Sequence, residues 1–359
     1  MTRGLDALLS GGVADGVFPL ARAEVFFEGR HVFSGGNAPP HTVFDLASLT
    51  KVLVTTALVL ETGLPLDAPV RRWFGDASVD ATLDDLLFHR SGLPAFRPFF
   101  ASVMEARPLL FQDDCPASQR RLARDELLAE VLRAKAQQPR GEQAVYSDLG
   151  FIMLGAVLEA AQQSPLDELF TRRIAAPLGL SARYRRLSHP GAMPSALAET
   201  GATRPREPAL GQEGLWSVVP RAGKKGEVDD DNAWCLDGVS GHAGLFATAA
   251  DVAIFGQAVL EGRFGGSSFP RDATVGSTRA RGFDTPSSEG ASCGQRFGRL
   301  GPRGAIGHLG FTGTSLWLDL DRSLVVALLT NRVALGRANL LIREFRPRFH
   351  DAVLDALGL

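Results

Sequence analysis

The sequence contains few cysteines, only two tyrosines and no marked excess of charge of one sign. Its three cysteines, Cys115, Cys235 and Cys293, are widely separated and odd in number, which argues against a disulfide framework and a cysteine-ligated zinc site. The formal net charge of −2 gives no reason to expect nucleic acid or an anionic membrane as a partner. We therefore expect reduced thiols and no nucleic-acid function.

Long apolar runs are also missing. No stretch reaches the roughly 18 uninterrupted apolar residues of a membrane-spanning helix, and the N-terminus lacks a basic start followed by an apolar segment. These features predict a cytoplasmic protein without a membrane partner. With 359 residues, 45% of them hydrophobic and 22% charged, the chain is long enough for a large core and about two subdomains.

Several well-known functional motifs do not occur in this sequence. There is no G-x-S-x-G nucleophile elbow, no H-E-x-x-H motif and no Gly-rich phosphate loop after a strand. The seven histidines do not have the spacing of metal ligands. We therefore predict neither a metal nor a cofactor, and the sequence indicates no particular oligomeric state.

The strongest chemical signal lies in residues 44–60, FDLASLTKVLVTTALVL. After Lys51 the stretch is almost wholly apolar, with a repeat typical of a buried helix. Residues three apart lie on one face of a helix, so we expect the Lys51 amine beside the Ser48 hydroxyl. A serine at a helix start also lies near unpaired N–H groups and the positive end of the dipole. The stretch therefore supplies a candidate nucleophile and a candidate base.

The alternative interpretation of Ser48 and Lys51 is structural. Ser-x-x-Lys occurs by chance in many proteins, where the serine caps a helix and the lysine is solvated. Here, however, Lys51 begins an apolar run, and a poorly solvated amine has a lowered pKa, as a base requires. This position favours catalysis and predicts a lowered pKa for Lys51.

Predicted strands lie near both ends of the chain, and helices fill the middle. Hairpins are predicted at residues 23–33 and 314–330. The predicted helices cover residues 5–13, 48–60, 81–88, 124–134, 151–161, 165–174, 250–260 and 335–357. Residues 181–230 and 262–304 have little periodicity. Connections this long are often functional, and we expect these two to form the rim of a pocket.

This distribution predicts an α/β fold of the α+β type, with a largely antiparallel sheet flanked by helices and a helical subdomain. Residues 1–66 are assigned to the first part of the α/β domain, including the helix after Ser48. Residues 67–180 are assigned to the helical subdomain. Residues 181–359 are assigned to a long loop and the second part of the α/β domain.

Two further clusters contain candidate site residues. Tyr146 and Asp148 lie just before a predicted helix, where Asp148 taken alone is better explained as an N-cap and Tyr146 as a core residue. In GHLGFTGT, His308 lies between glycines, which either admit a ligand or simply begin a hairpin. His242 and His89 lie beside glycines and turn residues, and we interpret both as structural histidines.

Together these residues resemble the serine β-lactamase and penicillin-binding protein superfamily. The similar branch contains class C β-lactamases, D-Ala-D-Ala carboxypeptidases and related esterases. Ser48 and Lys51 are similar to its S-x-x-K motif, Tyr146-Ser147-Asp148 to its second motif and His308-Leu309-Gly310 to its third. Further segments that resemble the family lie at residues 86–94, 241–246 and 330–333. The resemblance covers nearly the whole chain and implies a β-lactamase-like fold.

The resemblance implies acyl transfer in two steps. Ser48 attacks a carbonyl, and Lys51 and Tyr146 handle its proton. The backbone N–H groups of Ser48 and Phe311 bind the oxyanion. The implied substrate-binding residues are Asp148, His308, Gly310 and Phe311. Whether Lys51 or Tyr146 is the base is left open.

Three departures from the family pattern bear on the activity. Asp148 replaces the usual asparagine; because an ionised carboxylate only accepts hydrogen bonds, we expect it to pair with Lys51, keep that lysine charged and favour Tyr146 as the base. His308 replaces a lysine and weakens the positive charge of the pocket at neutral pH. Asp229 stands where some relatives carry a histidine.

The sequence therefore predicts a serine hydrolase that acts on a small ester, amide or peptide, with weak β-lactam hydrolysis at most. One alternative is a D-Ala-D-Ala carboxypeptidase-like peptidase or β-lactamase. Another is a non-catalytic relative that binds a ligand without turning it over. The presence of Ser48, Lys51 and Tyr146 together argues against that last alternative, since a binding site has no chemical need of all three.

Overall fold

An antiparallel sheet lies at the centre of the computed structural model, which describes residues 2–192, 194–265, 269–274, 277–287 and 292–359. The strands are β1 (Ala21–Phe27), β2 (Arg30–Gly35), β3 (Phe44–Asp45), β4 (Arg183–Tyr184), β5 (Thr203–Arg204), β6 (Arg221–Ala222), β7 (Leu245–Ala247), β8 (Arg279–Ala280), β9 (Phe283–Asp284), β10 (Ala305–Leu309), β11 (Ser315–Asp319) and β12 (Leu324–Thr330). Within the described ranges, seven strands form the sheet in the order β2-β1-β12-β11-β10-β9-β8.

The two predicted hairpins are confirmed and meet in the middle of this sheet. They appear as the antiparallel pairs β1–β2 and β11–β12. Strands β1 and β12, which come from opposite ends of the chain, pair antiparallel along their whole length. Both termini therefore build one sheet, as the sequence predicted.

Helices flank the sheet. The α-helices are Thr2–Ala14, Ala57–Glu61, Leu83–Leu87, Phe99–Ala106, Ala117–Leu132, Asp148–Gln162, Leu166–Phe170, Ala176–Leu178, Asp231–Cys235, Ala249–Leu260 and Ile342–Leu357. Further helical turns are π-helical at Lys51–Thr56 and Thr171–Ala175, and 3-10 at Val70–Arg72, Pro108–Phe111 and Arg332–Leu335. Every predicted helix appears, although several bounds differ. Among the described residues, no helix combines the length and apolar character that crossing a bilayer requires.

The last helix begins later than predicted. Periodicity placed its start at residue 335, whereas the structure has a 3-10 turn at Arg332–Leu335 and a helix at Ile342–Leu357. Between them Gly336 has a φ of +94°, which interrupts helical geometry. The Arg332 guanidinium also donates to the carbonyl of Asn339 at 2.6 Å, which holds the intervening segment in an irregular conformation.

Three strands of the sheet, β8, β9 and β10, were not predicted, and the glycines of residues 307–314 were interpreted as admitting a ligand or beginning a hairpin. A side chain at Gly307 would come within 2.4 Å of both the Leu316 carbonyl oxygen and the Trp317 ring. The glycine is therefore a site of close approach between β10 and β11, and glycine in a strand often has this meaning. The local pattern resembles a turn because the contact that requires the glycine comes from the next strand.

The sheet is buried on both faces, which explains the continuous apolar run of β12. Val326 and Leu328 pack in a cluster with the first and last helices. Val325 and Leu329 alternate with them and pack in the larger cluster on the other face, which includes the helix after Ser48. The division of the chain at residues 66 and 180 stays a prediction.

Candidate active site

Ser48 follows a strained residue at the start of the buried helix. Ala47 has a φ of +47°, a left-handed conformation that is uncommon for alanine and is often found at functional sites. The Asp45 carboxylate accepts a hydrogen bond from the Ala47 backbone N–H at 2.8 Å and so stabilises this conformation. The short segment before Ser48 is therefore held in one shape by a side chain two residues away.

The helix after Ser48 is fixed to its neighbours by two threonine hydroxyls. Thr50 accepts from the Leu245 N–H at 3.2 Å, and Thr55 donates to the Gly241 carbonyl at 2.6 Å. Its first turns, Lys51–Thr56, are π-helical, a geometry that occurs frequently at functional sites. The position of Lys51 relative to β7 and its preceding loop is thereby set.

Lys51 is fully buried and contacts the other candidate catalytic groups. Its Nζ lies 2.8 Å from Ser48 Oγ and 2.7 Å from Asp148 Oδ1. A third, longer bond of 3.3 Å goes to the His242 carbonyl. The nitrogen also lies 4.9 Å from the centre of the Tyr146 ring. The structure thus brings Ser48, Lys51, Tyr146 and Asp148 together, and Asp148 pairs with Lys51 as expected.

The apolar run predicted a lowered pKa for Lys51, and this prediction was wrong, whereas the expectation that Asp148 keeps Lys51 charged agrees with the structure. Burial alone would lower this pKa, but the charge of Asp148 and the contact with Tyr146 outweigh burial, and the net shift is upward. Burial raises the pKa of Tyr146 too, against the opposing effect of the Lys51 charge. The resting site therefore holds an ammonium group and a neutral phenol at neutral pH.

Tyr146 is positioned by His89, the histidine interpreted as structural. The His89 Nδ1 accepts a hydrogen bond from the Ser147 N–H at 3.0 Å, and its ring lies 4.7 Å from the Tyr146 ring. Burial, Arg279 and Lys51 hold the pKa of His89 well below its usual value, so the ring is neutral and accepts this bond. His89 therefore holds the backbone and the tyrosine ring of the second motif, Tyr146-Ser147-Asp148, in place.

His242, the other histidine interpreted as structural, is buried in a hydrogen-bonded chain. Its Nδ1 lies 2.7 Å from Ser240 Oγ and its Nε2 lies 2.9 Å from Asp230 Oδ1. Burial raises the pKa of Asp230, but His242 outweighs burial and the net shift is strongly downward. The chain holds His242, whose carbonyl contacts Lys51.

His308 lies in β10, with its ring 5.7 Å from the Tyr146 ring. Its Nδ1 lies 2.8 Å from the Leu309 carbonyl oxygen and donates to it. Burial, Lys51 and Arg279 lower the pKa of His308 to about 3, so the ring is neutral across the physiological range. Its Nε2 is buried without a hydrogen-bond partner among the described residues. The third motif therefore contributes no positive charge.

The turn after His308 is packed tightly against the segment before Ser48. Thr312 Oγ1 donates to the Asp45 carbonyl at 2.7 Å, and Thr314 Oγ1 donates to the Leu46 carbonyl at 3.0 Å. A side chain at Gly310 would come within 2.0 Å of Thr314 Oγ1. It would also come within 2.4 Å of the Leu46 carbonyl oxygen, so glycine is required where the turn approaches the backbone before Ser48.

Two backbone donors in this region are free. The N–H groups of Ser48 and Phe311 form no hydrogen bond with any residue that the structure describes. Both residues line one cleft. Unpaired donors at a reacting carbonyl are what an oxyanion hole requires.

The cleft has a volume of about 610 Å³. The residues lining it include Ser48, Tyr146, Asp148, His308, Gly310 and Phe311. The first long loop contributes Leu210 and Trp216 to its lining, and the second contributes Arg279 and Asp284. Both loops therefore border the cleft, as predicted, although residues 266–268, 275–276 and 288–291 of the second lie outside the described residues.

Sequence reasoning missed Arg279, which lies at the centre of the site. Its guanidinium carbon lies 5.1 Å from the centre of the Tyr146 ring, and it forms an ion pair with Asp284. Its region is rich in glycine and serine, and nothing in the local pattern distinguishes this arginine from its neighbours. Only the pairing of β8, β9 and β10 places it beside His308.

A buried ionic network that includes Asp229 and Arg337 forms part of the cleft lining. The Asp229 carboxylate pairs with Arg337 at 2.8 Å and Arg206 at 3.3 Å. Its backbone N–H donates to Asp45 Oδ2 at 2.6 Å. Burial and the charge of Asp229 raise the pKa of Asp45 to about 7. Asp229, which replaces a histidine of some relatives, therefore binds Asp45, the residue that stabilises the conformation of Ala47.

The described ranges contain no cluster of three or more histidine, cysteine, aspartate or glutamate side chains arranged to hold a metal ion. Cys115, Cys235 and Cys293 are free thiols. The carboxylates nearest Ser48 are instead paired with Lys51, His242 and arginines. The groups on hand for chemistry are a hydroxyl, an amine, a phenol and two backbone donors.

The model of the family described as Beta-lactamase matches residues 5–344. A relative from Escherichia coli (strain K12), described as "Putative D-alanyl-D-alanine carboxypeptidase", is 29% identical over 325 residues, which cover 81% of this chain and 69% of the relative.

Two solved structures have the same fold. The D-amino acid amidase from Ochrobactrum anthropi SV3 superposes with a TM-score of 0.70 at 20% identity, covering 99% of both chains. EstCE1, a hydrolase with promiscuous acyltransferase activity, superposes with a TM-score of 0.65 at 19% identity, covering 96% of this chain and 97% of EstCE1. At these identities the likeness shows the fold alone, and the predicted fold class is confirmed.

Proposed function

The chain belongs to the beta-lactamase family of serine hydrolases, as the sequence predicted, and we propose that it hydrolyses a small ester or amide through an acyl-enzyme on Ser48. The observation that carries the proposal is the buried Lys51 ammonium, 2.8 Å from Ser48 Oγ and beside Tyr146. A nucleophile within hydrogen-bond reach of a proton-handling group is the arrangement that covalent catalysis requires.

The proposed reaction begins with attack of Ser48 Oγ on the substrate carbonyl carbon. A C–O bond forms, the Ser48 proton passes to the pair of Lys51 and Tyr146, and the carbonyl oxygen becomes an oxyanion. The free N–H groups of Ser48 and Phe311 receive that oxyanion. The leaving group takes the proton as its bond breaks. Water then attacks the acyl-enzyme, and the same pair accepts and returns a proton.

The proton-handling pair starts from its protonated state. The pKa values of both Lys51 and Tyr146 are raised, so the form able to accept the Ser48 proton is a minor species at neutral pH. The rate of acylation should therefore rise with pH. Either residue serves as the base in this scheme, because the two share one proton-transfer site with Ser48.

The charges around Ser48 support an ester or amide over a β-lactam. His308 is neutral, and the charge of Arg279 is matched by Asp284. The carboxylate of Asp148 replaces an amide that could donate a hydrogen bond. These groups give little attraction to the carboxylate of a β-lactam, so we propose weak β-lactam hydrolysis at most.

The second candidate is a D-Ala-D-Ala carboxypeptidase-like peptidase. Two observations favour it: the name of the relative at 29% identity, and Arg343. Arg343 lines the cleft, is exposed and forms no ion pair with a described residue. It is available to a carboxylate at the end of a peptide. The cytoplasmic location expected from the sequence stays a prediction.

The first experiment is intact-protein mass after exposure to a fluorophosphonate and, separately, to a penicillin, with Ser48→Ala as the control. We expect one phosphonate adduct on the wild type, none on the variant and little or no penicillin adduct. Rapid labelling by both reagents would favour a penicillin-recognising enzyme. No adduct with either reagent, together with unchanged ligand affinity in Ser48→Ala, would favour a non-catalytic binding protein.

The acyl substrate is then identified with short-chain p-nitrophenyl esters compared with D-Ala-D-Ala peptides. The proposal predicts turnover of the esters. Turnover of the peptides alone, lost in Arg343→Ala, would favour the peptidase instead. The same variant should leave ester turnover nearly unchanged, since a simple ester carries no carboxylate for Arg343 to bind.

A further inference from the structure

The N–H and the C=O of the peptide group between Gly310 and Phe311 have different surroundings. Its N–H, which belongs to Phe311, has no partner among the described residues. Its carbonyl, which belongs to Gly310, accepts two hydrogen bonds, one of 2.8 Å from Nη2 of Arg346 and one of 3.1 Å from the Gly313 N–H. Arg346 lies in the last helix, Ile342–Leu357, and is buried.

A trans peptide group is planar, with its N–H and C=O pointing in opposite directions. The Gly310–Phe311 peptide bond is trans, since the cis bond of the described chain is Arg204–Pro205. The two donors to the Gly310 carbonyl, Arg346 and the Gly313 N–H, therefore also fix the direction of the Phe311 N–H. That N–H points away from Arg346, on a residue that lines the cleft with Ser48.

We propose that Arg346 is a positioning residue for the oxyanion site: its guanidinium, acting with the Gly313 N–H on the same carbonyl, polarises the peptide group whose N–H receives the oxyanion. This inference rests on the proposed acyl-enzyme chemistry. A cation hydrogen-bonded to the carbonyl oxygen draws electron density from the amide. The N–H then becomes a stronger donor, since hydrogen bonds in a chain reinforce one another.

The charge of Arg346 is not neutralised by a carboxylate of the described residues. It forms no ion pair within the described ranges, and its second bond, of 2.8 Å, goes to another carbonyl, that of Thr314. Burial and the nearby Arg332 lower the pKa of Arg346 to about 9, the direction expected of a cation without a counter-charge. Its field therefore acts on the peptide dipoles of the turn.

Holding the turn in place does not require Arg346. Thr312 and Thr314 already bond the turn to the segment before Ser48. Two backbone bonds close the turn: the Gly310 N–H donates to the Thr314 carbonyl at 2.7 Å, and the Gly313 N–H donates to the Gly310 carbonyl at 3.1 Å. Arg332 braces the next peptide group through the Phe311 carbonyl at 2.9 Å. A purely structural role for Arg346 would duplicate these contacts.

A second interpretation treats Arg346 as a binding group. It lines the cleft, and its Nε has no partner among the described residues, so a substrate carboxylate is a possible ligand. The two interpretations differ in the step they affect. Positioning the oxyanion donor changes kcat, whereas binding a ground-state carboxylate changes KM.

The test compares the wild type with Arg346→Met and Arg346→Lys on a neutral p-nitrophenyl ester. Arg346→Met should lower kcat about tenfold to a hundredfold and leave KM within about twofold, since removing an oxyanion donor outright costs roughly 10² to 10³. Arg346→Lys should recover part of kcat, because an ammonium still donates to the Gly310 carbonyl. The rate constant for fluorophosphonate labelling should fall in the same order.

The matched control is Arg120→Met. Arg120 is also buried on a helix, donates to a backbone carbonyl (Leu110, at 2.7 Å) and forms no ion pair within the described ranges. It does not line the cleft. Arg120→Met should therefore lose stability much as Arg346→Met does and keep the wild-type kcat. Equal kcat losses in the two variants would assign the effect to general destabilisation and overturn the proposal.

Infrared spectroscopy of a carbonyl-labelled acyl-enzyme gives a readout that stability alone does not move. The ester carbonyl band should shift to higher wavenumber in Arg346→Met, because a weaker Phe311 donor polarises the carbonyl less. An unchanged band, or a rise in KM at constant kcat, would overturn the proposal. If the wild type is not labelled on Ser48 at all, the proposed acyl-enzyme function is wrong. This result differs from the results that would contradict only the role of Arg346.

Discussion

The cleft has two walls, one formed by the helix after Ser48 and one by the Gly310–Thr314 turn. The buried cations of the two walls have different kinds of partner. On the wall of the helix after Ser48, Lys51 has a carboxylate partner, Asp148, at 2.7 Å. On the wall of the Gly310–Thr314 turn, Arg332 and Arg346 form no ion pair within the described ranges and donate to backbone carbonyls instead. The pKa of Lys51 is raised, whereas that of Arg346 is lowered to about 9.

This difference divides the chemistry between the walls. A lysine, a tyrosine and a carboxylate in contact can exchange protons with Ser48, so the first wall suits acid–base catalysis. A guanidinium keeps its protons at neutral pH and acts through its field on fixed dipoles. The second wall therefore suits preorganised stabilisation of charge. Variants of each wall should consequently fail in different ways.

The largest effect is expected from Lys51→Met. The change removes the proton-handling amine and leaves a side chain of similar length, so acylation should fall by about 10² to 10⁴. Asp148 loses its partner, which should also lower the stability. The measurement is the rate constant for fluorophosphonate labelling, with Tm recorded in parallel.

The double variant Lys51→Met, Asp148→Asn separates the two losses. It should regain stability, because no unpaired carboxylate is left, and stay as inactive as the single variant. If Lys51→Met alone keeps more than about a tenth of the wild-type rate, the first wall does not carry the acid–base chemistry.

A smaller loss is expected from Gly310→Ala on the second wall. The new methyl group would lie 2.0 Å from Thr314 Oγ1 and 2.4 Å from the Leu46 carbonyl oxygen, so the turn must shift. Moving an oxyanion donor should lower kcat by about 10², with little change in the pH profile. Gly11→Ala is the control, since a Cβ there meets nothing within 4 Å. Wild-type kcat in Gly310→Ala would show that the turn needs no fixed position.

The first wall was the more predictable from sequence. Ser48 and Lys51 are three residues apart, and helical geometry alone places them side by side. The direction in which the pKa of Lys51 shifts was not predictable from local sequence. Burial, which the apolar run indicates, lowers it, but Asp148, 97 residues further along the chain, reverses the shift.

The second wall depends on contacts that no local pattern contains. Strand β10 was not predicted because the packing that requires Gly307 comes from β11. Arg346 did leave a signal: it falls on the apolar face of its helix, one turn from Ile342 and one from Phe349. A charged residue on an apolar face indicates a buried partner, but only the fold identifies that partner as the Gly310 carbonyl.

A moderate shift in pH dependence is expected from Asp148→Asn. An amide removes the charge that raises the pKa values of both Lys51 and Tyr146. The rising limb of the profile of kcat/KM against pH should therefore move down by about 1 to 3 pH units. At pH 7 the variant should react faster than the wild type with a neutral ester. An unmoved limb would show that neither Lys51 nor Tyr146 sets the rate.

The smallest effect is expected from Asp45→Asn, at the point where the two walls join. The Asp45 carboxylate accepts from the Ala47 and Asp229 N–H groups, and its backbone carbonyl accepts from Thr312 on the second wall. An amide accepts only one of the two N–H bonds, so the variant should be less stable at low pH by about 1 kcal/mol.

That stability difference should shrink and then reverse in sign as the pH rises. The folded pKa of Asp45 is about 7, above its ordinary value of 3.8, so the folded wild type binds a proton that the unfolded chain has released between these values. Wild-type stability therefore falls with rising pH from about 4 to about 7 on account of Asp45, and the neutral amide has no such slope. Tm measured across this range tests it. If the Tm of the wild type and of Asp45→Asn varied with pH in parallel, Asp45 would be ionised throughout this range. The place where the two walls meet would then contain a buried negative charge.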